Sequence, residues 1–163
     1  MSEVATRFDA REHIVGLFNM ATYLYNTDLD FVPADSFTNS PGGAARPVSH
    51  LTADAGGLCM ATAALISGNN MPNKTPEERE AFANSLDSAE KCKAFMNQAS
   101  AAAIEAFKAL PEENFNDIIM APWGAEITKF GLATITASHI WYHDAQLNYI
   151  QALAGDGEVH WQM

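Results

Sequence analysis

Basic residues are scarce in this chain. Of its 163 residues only 9 are Lys or Arg, against 20 Asp or Glu, for a formal net charge of -11. Nucleic-acid binding leans on Lys and Arg that neutralise phosphates, so no nucleic-acid partner is expected and a small molecule or a protein is favoured. Cysteine is scarcer still. Cys59 and Cys92 stand alone in separate helix-like segments, which makes neither a disulfide framework nor a Cys-x-x-Cys metal pair. They read as two small thiols of a reducing cytoplasm. No apolar run approaches the roughly 20 residues of a membrane span. The opening MSEVATRFDAREH carries charge where a secretory leader would carry an apolar stretch, so a cytoplasmic protein is expected. Strand signals are nearly missing: there is no period-2 run of β-branched residues and no Asn-Gly turn. No internal repeat is visible, and an alanine-rich patch around Ser100 is the sole compositional bias.

What is present is an ordinary globular composition, with 48% hydrophobic residues. A chain of this length reads as one domain, residues 1–163, and buries about 70% of its unfolded surface without disulfide or metal staples. Helical periodicity covers most of it. A first helix is predicted over residues 7–26, where Ile14, Phe18, Ala21 and Tyr25 recur at helical spacing. Residues 27–46 hold Pro33, Pro41, Gly42 and Gly43 and read as a long irregular connection. Connections longer than about 12–15 residues are often functional, so this one is a candidate lid or pocket wall. A second helix is expected over residues 47–67, with Pro47 suited to the first helical position. The capping-box pattern Thr75-Pro-Glu-Glu78 opens a short extra helix to residue 83. A long helix then spans residues 87–110, and residues 111–126 are irregular around Pro122-Trp123-Gly124. The last helix covers residues 127–154 and leads to a short tail. Four long amphipathic helices with one long connection imply an all-α four-helix bundle.

His139 and His143 stand at i and i+4 on the last helix, about 40° apart around its axis. The same reckoning places Leu132, Ile135, Gln146, Ile150 and Leu153 on that face, so the pair projects from the apolar, inward stripe. Burying an unpaired polar ring costs about 1–3 kcal/mol. A shared metal ion satisfies both rings; separate hydrogen bonds or water satisfy them equally. Ile140 occupies the position where a zincin carries Glu, so metalloprotease chemistry is not supported. His50, in the first turn of the second helix, is the histidine on a facing helix that a bundle-core metal site needs. Asp54 shares its face. It is open to three roles: orienting His50, completing the coordination, or acting as a general base. A solvated helix carboxylate is the plain alternative. His13 reads as a surface residue, and His160 as part of a docked tail. Trp141 points away from the metal face, which suits packing or a subunit contact. Met20, Met60, Met96 and Met120 read as filler of core or loops. Tyr25, Tyr142 and Tyr149 are able to approach a pocket but receive no catalytic role.

Arg-Pro-Val-Ser-His-Leu opening the second helix, followed by Ser-His-Ile-Trp-Tyr-His-Asp-Ala-Gln-Leu on the last, resembles the DinB/YfiT-like superfamily of metalloenzymes. Asp30 to Pro33 and Pro122 to Gly124 also sit where relatives place similar residues. The resemblance implies a four-helix bundle whose metal ligands are His50, His139 and His143. Gln146 matches the glutamine of the superfamily's HxxxHxxQ stretch. Many relatives carry a basic residue and glycine after the second histidine, where this chain has Asp144 and Ala145. Three neutral histidines favour a divalent ion such as zinc or nickel, and three protein ligands leave positions open for catalysis. The resemblance implies a metal-activated low-molecular-weight thiol attacking a small electrophile, in a transferase or isomerase of the S-transfer type, with Asp54 and Gln146 orienting ligands or co-substrate. A hydrolase using bound water is the second expectation, and a non-catalytic metal- or ligand-binding stress-response protein the third. Relatives often form homodimers through their helices, an expectation that extends to this chain.

Overall fold

A computed structural model describes residues 8–70 and 73–162. Five α-helices and one small antiparallel hairpin make up its regular structure: α1 Ala10–Asp28, α2 Val48–Ile66, α3 Pro76–Ser85, α4 Ala89–Ala109, β1 Ile118–Met120, β2 Glu126–Thr128 and α5 Lys129–Leu153. Local chemistry sets each start. Asp9 accepts bonds from the backbone N–H groups of Arg11 and Glu12. Thr75 and Glu78 form the predicted capping box, Ser88 caps α4, and Thr128 Oγ1 accepts from Gly131 N at 2.9 Å. Each of these satisfies an N–H that the helix itself leaves without a partner. Pro47 sits at the N-cap of α2, one position before the helix. The predicted start of α1 at Arg7 lies outside the described residues.

Each of the four long helices packs against two others: α1 on α4 and α5, α2 on α4 and α5. Their directions follow from the bonds between them. Arg11 at the start of α1 donates to the carbonyls of Phe107 and Lys108 at the end of α4, both at 2.8 Å, so these helices are antiparallel. Asp28, at the end of α1, meets Asn148 and Gln151 near the end of α5, so α1 and α5 are parallel. Thr62 and Thr136 hydrogen-bond across α2 and α5 at 2.7 Å. The core between them is made of Ile14, Phe18, Tyr25, Cys59, Met96, Phe107, Ile140 and Leu147, each 0% exposed. Both cysteines are buried free thiols. At Gly56 the ring of Phe95 occupies the space a side chain would fill, which lets α2 and α4 approach closely.

Several expectations need correction. Residues 111–126, read as irregular, contain a 3-10 turn over Glu112–Asn114 and strand β1, which pairs with β2 in the register Ile118↔Thr128 and Met120↔Glu126. Its turn closes through Gly124 N to Ala121 O at 2.9 Å, with Gly124 at a φ of 84° that suits glycine. The connection from α1 to α2 is less open than its composition suggests. It includes a 3-10 turn over Ala34–Phe37, and Leu29, Val32 and Phe37 reach the core. Ile135 and Leu153, assigned to the inward stripe of α5, are 43% and 57% exposed. Trp141, expected to serve packing or a subunit contact, packs against the core. Among the described methionines Met96 alone is fully buried, while Met20 and Met120 are exposed. No helix among the described residues is long and apolar enough to cross a membrane.

Candidate metal centre

Because α2 and α5 are antiparallel neighbours, the first half of α2 faces the middle of α5. Asp54, His139 and His143 meet there, with one donor atom of each lying within 4.8 Å of the others. The two ring Nε2 atoms are 3.1 Å apart. Asp54 Oδ2 lies 3.4 Å from His143 Nε2, and Oδ1 lies 3.8 Å from His139 Nε2. The group is graded in depth: the His143 side chain is 0% exposed, that of His139 26% and that of Asp54 43%. Such a gradient leaves one side accessible to small molecules.

The surroundings prepare the group for a cation. Gln146 Oε1 lies 2.8 Å from His143 Nδ1. An amide oxygen accepts only, so Nδ1 carries the proton and, in the neutral ring, Nε2 keeps its lone pair. His139 Nε2 is aimed at the same spot. Two ring nitrogens and a carboxylate converging on one point form a donor set for a divalent ion once both Nε2 atoms are free of protons, and the residues present fit one. The His139 and His143 rings, with the Arg46 guanidinium, hold the Asp54 carboxyl far below the usual carboxylate range against the opposing pull of burial. Asp54 is thus an anion under ordinary conditions. Arg46 Nη1 reaches Asp54 Oδ2 at 2.8 Å. Tyr142, 59% exposed, places its ring 5.8 Å from that of His139 and 5.0 Å from that of His143, and so forms a wall beside the group.

His50 stands one turn before Asp54 on the same side of α2 but outside the converging group. Its Nε2 lies 3.1 Å from Asn84 Oδ1 and 3.7 Å from Glu80 Oε1, both on α3. His13 is exposed and lies beside the Phe8 ring. His160 stacks on Phe31 with ring centroids 3.5 Å apart and bonds Asp156 Oδ2 at 2.8 Å, which docks the tail. Sequence reading missed Arg46 as the partner of Asp54; Tyr142, read as able to approach a pocket, stands beside the group. Arg46 was visible as the first residue of the Arg-Pro-Val-Ser-His-Leu stretch, but it lies in loop before α2, where helical spacing gives no pairing with Asp54.

On the far side of α5 from the histidines, Asp144 lies against Asp28 of α1, and both are buried. Burial, and then the neighbouring Asp28, push the Asp144 carboxyl up to about 8. Asn148 donates to Asp28 Oδ2 at 2.6 Å and Gln151 to the Asp28 carbonyl at 2.9 Å. The Oδ1 atoms of both aspartates lack a partner among the described residues.

No protein-family model matches the sequence, and no curated protein matches it. Solved structures do. The mycothiol-dependent maleylpyruvate isomerase superposes with a TM-score of 0.64 at 18% identity, and a histidine-to-alanine mutant of it with 0.68 at 17%. Each comparison covers 84% of this chain and 60% of the isomerase chain, so the chain spans about three-fifths of that protein's length. A conserved protein from Enterococcus faecalis superposes with a TM-score of 0.72 at 12% identity, covering 90% of this chain and 98% of its own. The chain has the mainly helical, DinB-like fold of these proteins.

Proposed function

We propose that the chain is a single-domain DinB-like four-helix bundle, cytoplasmic like its two reduced thiols, and that Asp54, His139 and His143 hold a divalent metal in a thiol-dependent enzyme. The observation that carries this reading is the approach of two imidazole Nε2 atoms to 3.1 Å beside an ionised carboxylate. Zinc or nickel is the favoured ion, and a two-histidine, one-carboxylate set also suits iron(II). When bound, the metal supplies a lowered pKa to a thiol or water and so a nucleophile near neutral pH.

The chain's own residues do the rest. Gln146 keeps the His143 proton on Nδ1 and the ring turned toward the group. Arg46 balances the charge of Asp54 and fixes its rotamer. Tyr142 shields one side from water and offers an aromatic surface to a substrate. His50, the fourth candidate, joins the ligands if its ring swings away from Asn84. The substrate class is a small electrophile attacked by a low-molecular-weight thiol. It is drawn from the fold shared with the mycothiol-dependent isomerase and from a chain too acidic to favour polyanions.

Protein purified without a histidine tag and analysed for metal is expected to hold about one divalent ion per site, with loss in His143→Ala and Asp54→Ala. Metal content unchanged in both variants overturns the reading. His50→Ala distinguishes a three-residue from a four-residue ligand set. Turnover of an electrophile panel only when thiol is added supports the thiol enzyme; turnover with water alone makes it a hydrolase.

A further inference from the structure

Among the described residues Arg46 is the one arginine or lysine at the mouth of the donor group. The other described basic side chains are engaged elsewhere, with acids, with backbone carbonyls or with the Phe82 ring. The Arg46 guanidinium carries five N–H donors in a flat fork. Its Nη1 meets Asp54 Oδ2, and the rest of the fork has no partner among the described residues. The two side chains are 45% and 43% exposed. An ion pair this open contributes little to stability, so a change of partner costs the fold little. Asp54 Oδ2, the oxygen that Arg46 holds, also lies 3.4 Å from His143 Nε2. A divalent ion between that carboxylate and the rings draws on the same negative charge and leaves the guanidinium short of a counter-charge. In a chain of net charge -11 the centre then becomes a local positive spot that draws in an anion.

We propose that Arg46 anchors a carboxylate of the small electrophile, releasing Asp54 to the metal as it does so. This rests on the metal reading of the donor group and extends it to the charge of the substrate. A guanidinium fork receives the two oxygens of a carboxylate side by side. A phosphate, with close to two charges, calls for a cluster of arginines, and Arg46 stands alone. With its carboxylate on the fork, the substrate has one end fixed at the mouth of the centre. Tyr142, 59% exposed and beside both histidine rings, offers a flat surface to the rest of it. Arg46 is thus a specificity-determining residue and not a metal ligand. An uncharged electrophile of the same shape finds no such anchor. The two events are also coupled. Metal binding frees Arg46 for the anion, and by reciprocity the anion tightens the metal.

Benzoate and benzamide share a ring and differ in charge, which makes them the probes. The zinc affinity of the full chain is measured by competition with a coloured chelator, in saturating benzoate or in benzamide at the same concentration. In the wild type, benzoate is expected to tighten zinc binding by about fivefold or more, and benzamide to leave it unchanged. Calorimetric titration of benzoate is expected to show the reciprocal gain, with tighter binding to the zinc-loaded than to the zinc-free chain by the same factor. Arg46→Met is expected to lose the benzoate effect while still holding zinc and keeping its far-UV circular dichroism spectrum. Arg46→Lys, which keeps the charge without the fork, is expected to recover part of it. Equal tightening in Arg46→Met means that benzoate sits on the metal alone, and an equal response to benzamide means that charge is not read. Either result overturns the proposal and leaves the metal reading standing. A wild type that binds no zinc in any of these conditions overturns the metal reading and the anchor with it, so the two failures are told apart.

Discussion

Gln146 decides which nitrogen of His143 faces Asp54. Replacing it with Leu removes the acceptor at Nδ1 and frees the ring to change tautomer, and outer partners of this kind typically affect metal affinity by about 10–100-fold. Gln146→Leu is expected to weaken binding by that factor in a competition titration with a coloured chelator, and Gln146→Glu, which keeps an acceptor, to restore it. On the opposite side of the helix, Asp144→Asn replaces a buried carboxyl, pushed up to about 8 by burial and then by Asp28, with a neutral amide. It is expected to stabilise the protein by about 1 kcal/mol, or about 2–4 °C in Tm by calorimetry. The sharing of one face by His139, His143 and Gln146 was legible because the i, i+4 and i+3 spacings of a helix leave no other arrangement. Asp54 was legible as a candidate by the same spacing from His50. That Asp54 rather than His50 stands with the pair was not, because the choice is made by α3. Asn84 and Glu80 on that helix engage the His50 ring, and no local pattern shows which helix lies alongside.

At the scale of elements, close approach has a visible point of failure. Gly56→Val would push two methyl groups into the ring of Phe95, and overpacking of this kind costs about 1–3 kcal/mol. Urea denaturation is expected to show a lower midpoint with the slope unchanged. The docked tail answers to pH through Asp156. Its carboxyl is held below its ordinary value of 3.8 by the backbone N–H of Glu158 and then by His160. A depressed carboxylate stabilises its folded arrangement above its ordinary value and loses that effect as pH falls through the depressed one. Tail release is therefore expected only on acidification. Trp161 emission, recorded after Trp123 and Trp141 are changed to Phe, is expected to hold steady from neutral pH down to that range and then shift. Helix boundaries were readable to within a few residues from apolar periodicity and the capping box at Thr75. The caps Asp9, Ser88 and Thr128 fall inside the expected helices, because a polar residue at the first turn fits either place. The hairpin was not readable. Its strands are three residues each, too short to express a period-2 pattern, and the bonds that seat it run from Lys129 and Phe130 back to Asp117 and Phe115. The inward stripe of α5 was overdrawn at Ile135 and Leu153, since angular reckoning does not separate an apolar face turned to the core from one turned outward.

For the molecule as a whole, burial and charge make separate demands. The buried apolar core is continuous across all four long helices, so a chain stripped of metal by chelator is expected to keep its helical circular dichroism. Its Tm alone is expected to fall, by the amount that mass action assigns to the lost ligand. Duplex DNA is expected to migrate unshifted in the presence of the protein, given so few basic residues.

The antiparallel meeting of α2 with α5 has a consequence for how the chain comes together. Asp54 and His139 are contributed by helices with α3, α4 and the hairpin between them in sequence, so their encounter is non-local, and contacts of this kind form late because the loop they close is long. A segment ending before α5 holds the carboxylate without the imidazoles, and α5 alone holds the imidazoles without the carboxylate. The complete donor set exists only once the last helix has docked. Under the proposed metal reading, the onset of metal capture after dilution from denaturant is therefore expected to trail the appearance of helix.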